Sequence, residues 1–225
     1  MIFTRDLIFI HIGKTGGMSC ADYLLHNLQP PIHSCSHESM AEAEAVKLDG
    51  LIPIPDVHRH CTLAEALEFI ARFNGQPLSR FSKVVAVIRH PYTLEYSFYR
   101  HLQKPRVRAL RWDEPNLLTL ADGDFRTFVE QADYHREGHP QEAFVRLGND
   151  IPDAVELVSL EELAEAFPRA VSPFLKPEAA YPFPHHNRTE YDEELGAVLT
   201  DDVRALLYRK HRFMFDSGLY STDWA

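Results

Sequence analysis

The sequence near the amino terminus reads Ile8-Phe9-Ile10-His11-Ile12-Gly13-Lys14-Thr15-Gly16-Gly17-Met18-Ser19. The apolar run over residues 7–12 is typical of a buried strand, and it breaks into a glycine-rich turn that carries one lysine. Apolar residues then recur at helical spacing over residues 21–28, before Pro30-Pro31 ends the pattern. This part of the chain therefore predicts a strand, a tight loop and a helix.

The predicted loop has the residue types of an anion site. Gly16 and Gly17 permit positive φ and the close approach of a ligand. The amides of such a loop and of the following helix N-terminus point at one spot. Lys14 adds a movable positive charge, while Thr15 and Ser19 add hydroxyl donors. We therefore expect a phosphate group to bind here.

The order of residues separates this loop from that of nucleoside triphosphatases. The pattern G-x-x-x-x-G-K-[ST] would need its first glycine at Ile8, inside the strand. The observed order H-x-x-K-T-G-G-x-S, residues 11–19, resembles the 5′-phosphosulfate loop of sulfotransferases that use 3′-phosphoadenosine 5′-phosphosulfate (PAPS). It is most similar to the carbohydrate-sulfotransferase branch and its bacterial relatives. The resemblance implies that the loop residues bind this cofactor: Gly13, Lys14, Thr15, Gly16, Gly17, Met18 and Ser19.

A second apolar run, Lys83–Ile88, predicts another buried strand, and Arg89-His90-Pro91 follows it. Pro91 suits the first turn of a helix. The family's 3′-phosphate motif, strand-R-x-P-x-x-x-x-x-S-x-[YF], matches Arg89, Pro91, Ser97 and Tyr99 position for position. The resemblance implies that Arg89 and Ser97 converge on the 3′-phosphate, the group that separates PAPS from ATP.

His60 is the candidate catalytic base. It lies just before a helix start that Thr62 and Glu65 mark as a capping box. The positive helix end disfavours imidazolium, so we expect a neutral imidazole that can accept a proton. A structural histidine near a helix start is the alternative. The late segment 185–189 resembles the family's loop over the cofactor, which implies binding roles for Asn187 and Arg188.

Met18 departs from the family, which usually has threonine or serine at this position. Methionine removes one hydroxyl but keeps the backbone amide. Losing a hydrogen bond to a charged group costs about 1.5–3 kcal/mol, so cofactor binding would weaken. A degenerate nucleotide-binding member of the family therefore stays open as an alternative.

Size and composition describe an ordinary globular chain. The 225 residues are 45% hydrophobic and 25% charged, which predicts a single domain over residues 1–225. The net charge of −10 argues against a general nucleic-acid binder. No apolar run approaches the ~20 residues of a membrane span, and the first strand leaves no room for a signal peptide. We therefore expect a cytoplasmic protein without a membrane span, and the sequence leaves the oligomeric state open.

Alternating strands and helices predict an α/β protein whose mainly parallel sheet is flanked by helices on both faces. The resemblance implies the P-loop-NTPase-like sulfotransferase fold. Ligands of such sheets bind at the carboxyl ends of strands, where both anion motifs lie. The expected reaction moves a sulfuryl group from PAPS to a hydroxyl or amine of an unidentified acceptor, a carbohydrate or another small molecule. Lys14 and His60 are the catalytic candidates, and no metal is required.

Two other functions stay open. A nucleotide phosphotransferase or kinase of related fold would be favoured by a strict Mg²⁺ requirement. A metal-binding or regulatory module could draw on histidines and cysteines whose spacing matches no standard zinc signature: His33, Cys35, His37, His58, His60 and Cys61. The basic stretch Lys104, Arg106, Arg108 and Arg111 is either an acceptor-side patch for an acidic substrate or a solvated loop.

Overall fold

The computed structural model describes residues 1–35, 50–54, 57–75, 77–132, 140–184 and 192–223. These residues confirm the α/β class, with six strands in one sheet. The contacts divide the chain into two compact units, Met1–Ile88 with Ala143–Arg188 and Arg89–Glu142 with Thr189–Ala225. The sequence predicts a single domain over residues 1–225, and the division into two compact units does not test that prediction.

The sheet belongs to the first unit. Its strands are β1 (Ile2–Phe3), β2 (Leu7–Ile10), β3 (Ile32–Ser34), β4 (Leu51–Pro53), β5 (Lys83–Ile88) and β6 (Val155–Ser159), in the order β4-β3-β1-β2-β5-β6. The pairs β2–β5, β5–β6 and β3–β4 are parallel. The sequence predicts a mainly parallel sheet, but the observed sheet is mixed because β1 runs antiparallel to both of its neighbours. The turn between β1 and β2 is too short for a parallel crossover, so the two strands pair as a hairpin.

Helices follow the strands in the described part of the chain. They are α1 (Gly17–Asn27), α2 (Leu63–Asn74), α3 (Pro91–Leu102), α4 (Pro105–Leu110), α5 (Pro115–Asp122), α6 (Phe125–Gln131), α7 (Leu163–Val171), α8 (Asp192–Val198), α9 (Asp201–Lys210) and α10 (Arg212–Asp216). In the first unit, α1 and α7 pack against the central strands, and Phe9, Leu24, Val85 and Phe167 belong to that core. This core fixes the end of β2 and the start of α1, where the predicted loop lies.

The second unit has its own core, rich in aromatic side chains. Tyr92, Tyr96 and Phe128 are buried in it, and α3 packs against α5, α6 and α9. The helix α3 also buries a charge: Glu95 is 0% exposed, and its Oε1 lies 2.6 Å from His211 Nε2 and 3.3 Å from Lys210 Nζ. No helix among the described residues is long and apolar enough to cross a membrane.

Candidate functional site

The loop after β2 has the backbone geometry of an anion site. β2 ends at Ile10 and α1 begins at Gly17, which confirms the predicted strand, loop and helix. Lys14 has φ 65° and Gly16 has φ 80°, so the chain enters the left-handed region at both residues. A left-handed lysine is strained, and such strain clusters at ligand sites. Left-handed residues in a tight turn help to direct backbone amides toward one concave side.

The start of α1 has the features of an anion-binding helix end. Its N-cap is Gly16, which has no side chain to accept a hydrogen bond, and its first turn carries no acidic residue. The amides of Gly17, Met18 and Ser19 precede the first intrahelical bond, which Cys20 donates to the Gly16 carbonyl at 3.3 Å. The positive end of the helix macrodipole lies at the same place. A phosphate or sulfate group matches both features.

Two hydroxyls expected as donors are buried, Thr15 in the loop and Ser19 in the first turn of α1. Thr15 is 0% exposed, and its Oγ1 donates to the Ile12 carbonyl at 2.9 Å. The Thr15 hydroxyl therefore uses its proton to stabilise the loop. The group with which Thr15 can donate to a ligand is then its backbone amide. Ser19 is also buried, while Met18 is half-buried in the first turn of α1.

Three glycines of the loop serve different purposes. A Cβ on Gly17 would lie 1.9 Å from the His11 ring, so Gly17 is required by packing. A Cβ on Gly16 would lie 2.7 Å from Leu160, and its positive φ adds strain. A Cβ on Gly13 would meet nothing within 4 Å, and its φ is not positive. The open space beside Gly13 therefore leaves room for a ligand to approach the backbone.

We predict opposite outcomes for alanine at two of these glycines. Gly17→Ala should destabilise the protein by roughly 1–3 kcal/mol or more, because the new Cβ overlaps the His11 ring. Gly13→Ala should fold with unchanged stability but bind a 5′-phosphate ligand more weakly, because its Cβ enters the ligand's space. Urea denaturation and calorimetry measure the two effects. Unchanged ligand affinity in Gly13→Ala would remove Gly13 from the site.

The structure brings His60 to this loop through His11. The rings of His11 and His60 make an edge contact with centroids 4.5 Å apart, and the same His11 ring lies against Gly17. His60 Nδ1 lies 2.9 Å from the His11 carbonyl oxygen. A carbonyl only accepts, so Nδ1 carries the proton and Nε2 keeps a lone pair. This tautomer leaves Nε2 as the basic nitrogen.

Burial is the main cause that keeps His60 neutral, a cause that the sequence does not indicate. Burial lowers the pKa of His60 to about 4, the bond to the His11 carbonyl opposes that shift, and Arg59 and His58 add to it. Thr62 is the N-cap of α2 with the predicted capping box, and His60 lies just before it, as the sequence indicates. Burial also holds the pKa of His11 well below its ordinary value, with the neighbouring His60 as the second cause.

This lowered pKa predicts an acid sensitivity that His60→Asn should reduce. Asparagine can keep the donor to the His11 carbonyl but does not titrate. Between pH 6.5 and about 4 the unfolded chain binds a proton at His60 that the folded chain resists. The stabilising contribution is therefore complete above pH 6.5 and is lost as the pH falls, by about 2 kcal/mol at pH 4.5. Denaturant unfolding at pH 7 and 4.5 measures it, and equal losses in both proteins would contradict the shift.

Arg89 and Ser97 lie in the second unit, where the predicted motif geometry is partly seen. Pro91 occupies the first turn of α3, as expected. Arg89 Nε donates to Thr93 Oγ1 at 2.9 Å, while Ser97, one helical turn further, is 5% exposed. Gln141 holds the Arg89 backbone on both sides, accepting from its amide and donating to its carbonyl at 2.8 Å. The motif does not indicate Gln141, because this contact is far apart in sequence.

Asn187 and Arg188 lie outside the described residues, and so does His37 of the alternative metal module. Among the residues that are described, no group of three or more histidine, cysteine, aspartate or glutamate side chains could hold a metal ion. The candidate residues that the structure describes are the loop and His60 in the first unit and the Arg89 motif in the second. No protein-family model matches the chain, and no curated protein matches it.

Proposed function

We propose that this protein is a cytoplasmic sulfotransferase that moves a sulfuryl group from PAPS to a hydroxyl or amine of an acceptor, a carbohydrate or another small molecule. The proposal includes the P-loop-NTPase-like sulfotransferase fold, with helices on both faces of the sheet. The observation that carries it is the loop itself: left-handed Lys14 and Gly16 precede an uncapped helix N-terminus at the end of a central strand. A Cβ on Gly13 would meet nothing within 4 Å, which supports the approach of a phosphosulfate to the backbone there.

The loop residues would stabilise negative charge. When bound, PAPS supplies the sulfuryl group and leaves as 3′-phosphoadenosine 5′-phosphate. The Lys14 ammonium and the amides of residues 15–19 would neutralise the charge that grows on the departing 5′-phosphate. Because the backbone holds the amides in place before reaction, they need little reorganisation. The proposal invokes no metal ion.

His60 would take the acceptor's proton at Nε2. The His11 carbonyl fixes the proton on Nδ1, which orients the ring and leaves Nε2 to act. A pKa of about 4 makes His60 a weak base in the free protein. A bound anion nearby favours the imidazolium, so the pKa should rise when the donor binds. His60 would then be a stronger base when PAPS is bound than in the free protein.

Arg89 and Ser97 would hold the 3′-phosphate, and the late residues Asn187 and Arg188 would contribute to cofactor binding. Arg89→Ala tests the first assignment. It removes a charged hydrogen-bond donor, so affinity for 3′-phosphoadenosine 5′-phosphate should fall about 10- to 100-fold while affinity for AMP stays unchanged. Calorimetric titration measures both constants.

Arg100→Ala is the matched control, because Arg100 lies on α3, the helix that begins just after Arg89, and pairs with Glu194 at 2.9 Å on the surface. It should leave both affinities unchanged. If Arg89→Ala weakened both nucleotides equally, Arg89 would have no specific role at the 3′-phosphate.

A further inference from the structure

The second unit exposes two large apolar side chains close together in sequence. Leu110 is the last residue of α4 and is 71% exposed. Trp112 lies in the turn that follows and is 78% exposed. They are the most exposed large hydrophobic side chains among the described residues. A single exposed apolar side chain is normal on a protein surface, but two large ones close together indicate a contact surface.

Two basic residues border these side chains. Lys104 and Arg106 are exposed, and neither forms an ion pair with any described residue. Arg106 and Leu110 are four residues apart on α4 and so share a face. We name the set Lys104, Arg106, Leu110 and Trp112 the basic-apolar surface. Asp113 is the exposed acidic neighbour of Trp112.

The other two arginines of the stretch are engaged and hold the segment in place. Arg108 donates to both carboxylate oxygens of Asp122, at 2.7 and 2.9 Å. Arg111 pairs with Glu114 at 3.0 Å, and its guanidinium lies 5.7 Å from the Phe98 ring centroid. The basic stretch is therefore divided: Arg108 and Arg111 are held in ion pairs, and Lys104 and Arg106 are exposed beside apolar side chains.

We propose that the basic-apolar surface binds the anionic face of a lipid bilayer. Leu110 and Trp112 would enter the headgroup region, and Lys104 and Arg106 would contact acidic headgroups. Tryptophan and leucine beside basic residues are the side chains that interfacial segments use. The surface of an acidic bilayer offers negative charge beside an apolar layer, which complements both the basic and the apolar side chains of this surface. This proposal does not depend on the sulfotransferase reaction.

Trp112 supplies a direct reporter, because the chain has two tryptophans and Trp224→Phe leaves Trp112 alone. The full-length Trp224→Phe protein would be mixed with vesicles of phosphatidylcholine, with or without 30 mol% phosphatidylserine. Sedimentation with the vesicles should show that it binds as wild type does. With phosphatidylserine, the emission of Trp112 should shift to shorter wavelength, and added salt should reverse the shift. An unchanged emission, or an equal shift on neutral vesicles, would overturn the proposal.

Matched variants separate the surface from net charge. Lys104→Glu/Arg106→Glu should lower vesicle affinity at least about tenfold. Arg5→Glu/Arg80→Glu, at exposed residues of the first unit, changes net charge equally and should bind more tightly than the first variant. Trp112→Ala should also bind weakly while keeping its thermal midpoint. An equal loss of vesicle affinity in both charge variants would overturn the proposal. Failure to bind vesicles would also overturn it, if the protein instead self-associates or binds polyglutamate in a way that depends on Trp112.

Discussion

Replacing Lys14 with alanine is expected to lower the conversion of PAPS about 10²- to 10³-fold. The side chain supplies the one charged group of the loop, and removal of a single donor aimed at a developing negative charge costs that much in other enzymes. The loop backbone should survive, because Thr15 closes it through the Ile12 carbonyl and Gly17 packs on His11. Formation of 3′-phosphoadenosine 5′-phosphate in the presence of an acceptor measures the rate.

Lys14→Gly is the matched control for the backbone. Lys14 has φ 65°, a conformation that costs an L-residue roughly 1–2 kcal/mol and glycine almost nothing. Lys14→Gly should therefore be about 1 kcal/mol more stable than Lys14→Ala, yet equally inactive. Chemical denaturation gives the stabilities. Wild-type rates in both variants would contradict the role assigned to the ammonium group.

Replacing Glu95 with alanine is expected to destabilise the protein by about 3–5 kcal/mol. The carboxylate is fully buried on α3, where it contacts His211 and Lys210. Breaking a buried ion pair leaves the remaining polar groups without their compensation, which is why the cost is large. The second unit should lose this stability as a whole, because α3 packs against α5, α6 and α9 there.

Glu194→Ala tests whether burial is the cause. Glu194 also pairs with an arginine, Arg100, but the two side chains are 57% and 41% exposed. Exposed pairs contribute about 0–1 kcal/mol, so this variant should be nearly as stable as wild type. Urea unfolding of the two variants measures the difference. Equal stability of Glu95→Ala and Glu194→Ala would show that the buried cluster adds nothing.

The elements that hold the site could be predicted from local sequence. The run Lys83–Ile88 is a strand over the expected residues, since a strand that is buried on both faces is a continuous apolar run. The turn at Gly16 and the start of α3 at Pro91 also follow from single residues with fixed backbone preferences. Local preference was enough there because tertiary contacts agree with it.

Other features depend on contacts between distant residues. The two-residue strand Ile2–Phe3 is too short to show a period, so the hairpin that makes the sheet mixed was not predicted. His60 owes its lowered pKa to burial, and its tautomer to the carbonyl of His11. Gln141 holds Arg89 across a long separation in sequence. None of these contacts leaves a local pattern in the chain.

Calorimetric titration of the wild-type protein with 3′-phosphoadenosine 5′-phosphate, AMP and ATP tests the central claim most directly. The three nucleotides would be compared without metal, and ATP again with Mg²⁺. We predict that 3′-phosphoadenosine 5′-phosphate binds at least about tenfold more tightly than AMP and needs no metal, because the 3′-phosphate adds charged hydrogen bonds. No preference for the 3′-phosphate, or binding of ATP only with Mg²⁺, would contradict the sulfotransferase assignment and favour a phosphotransferase.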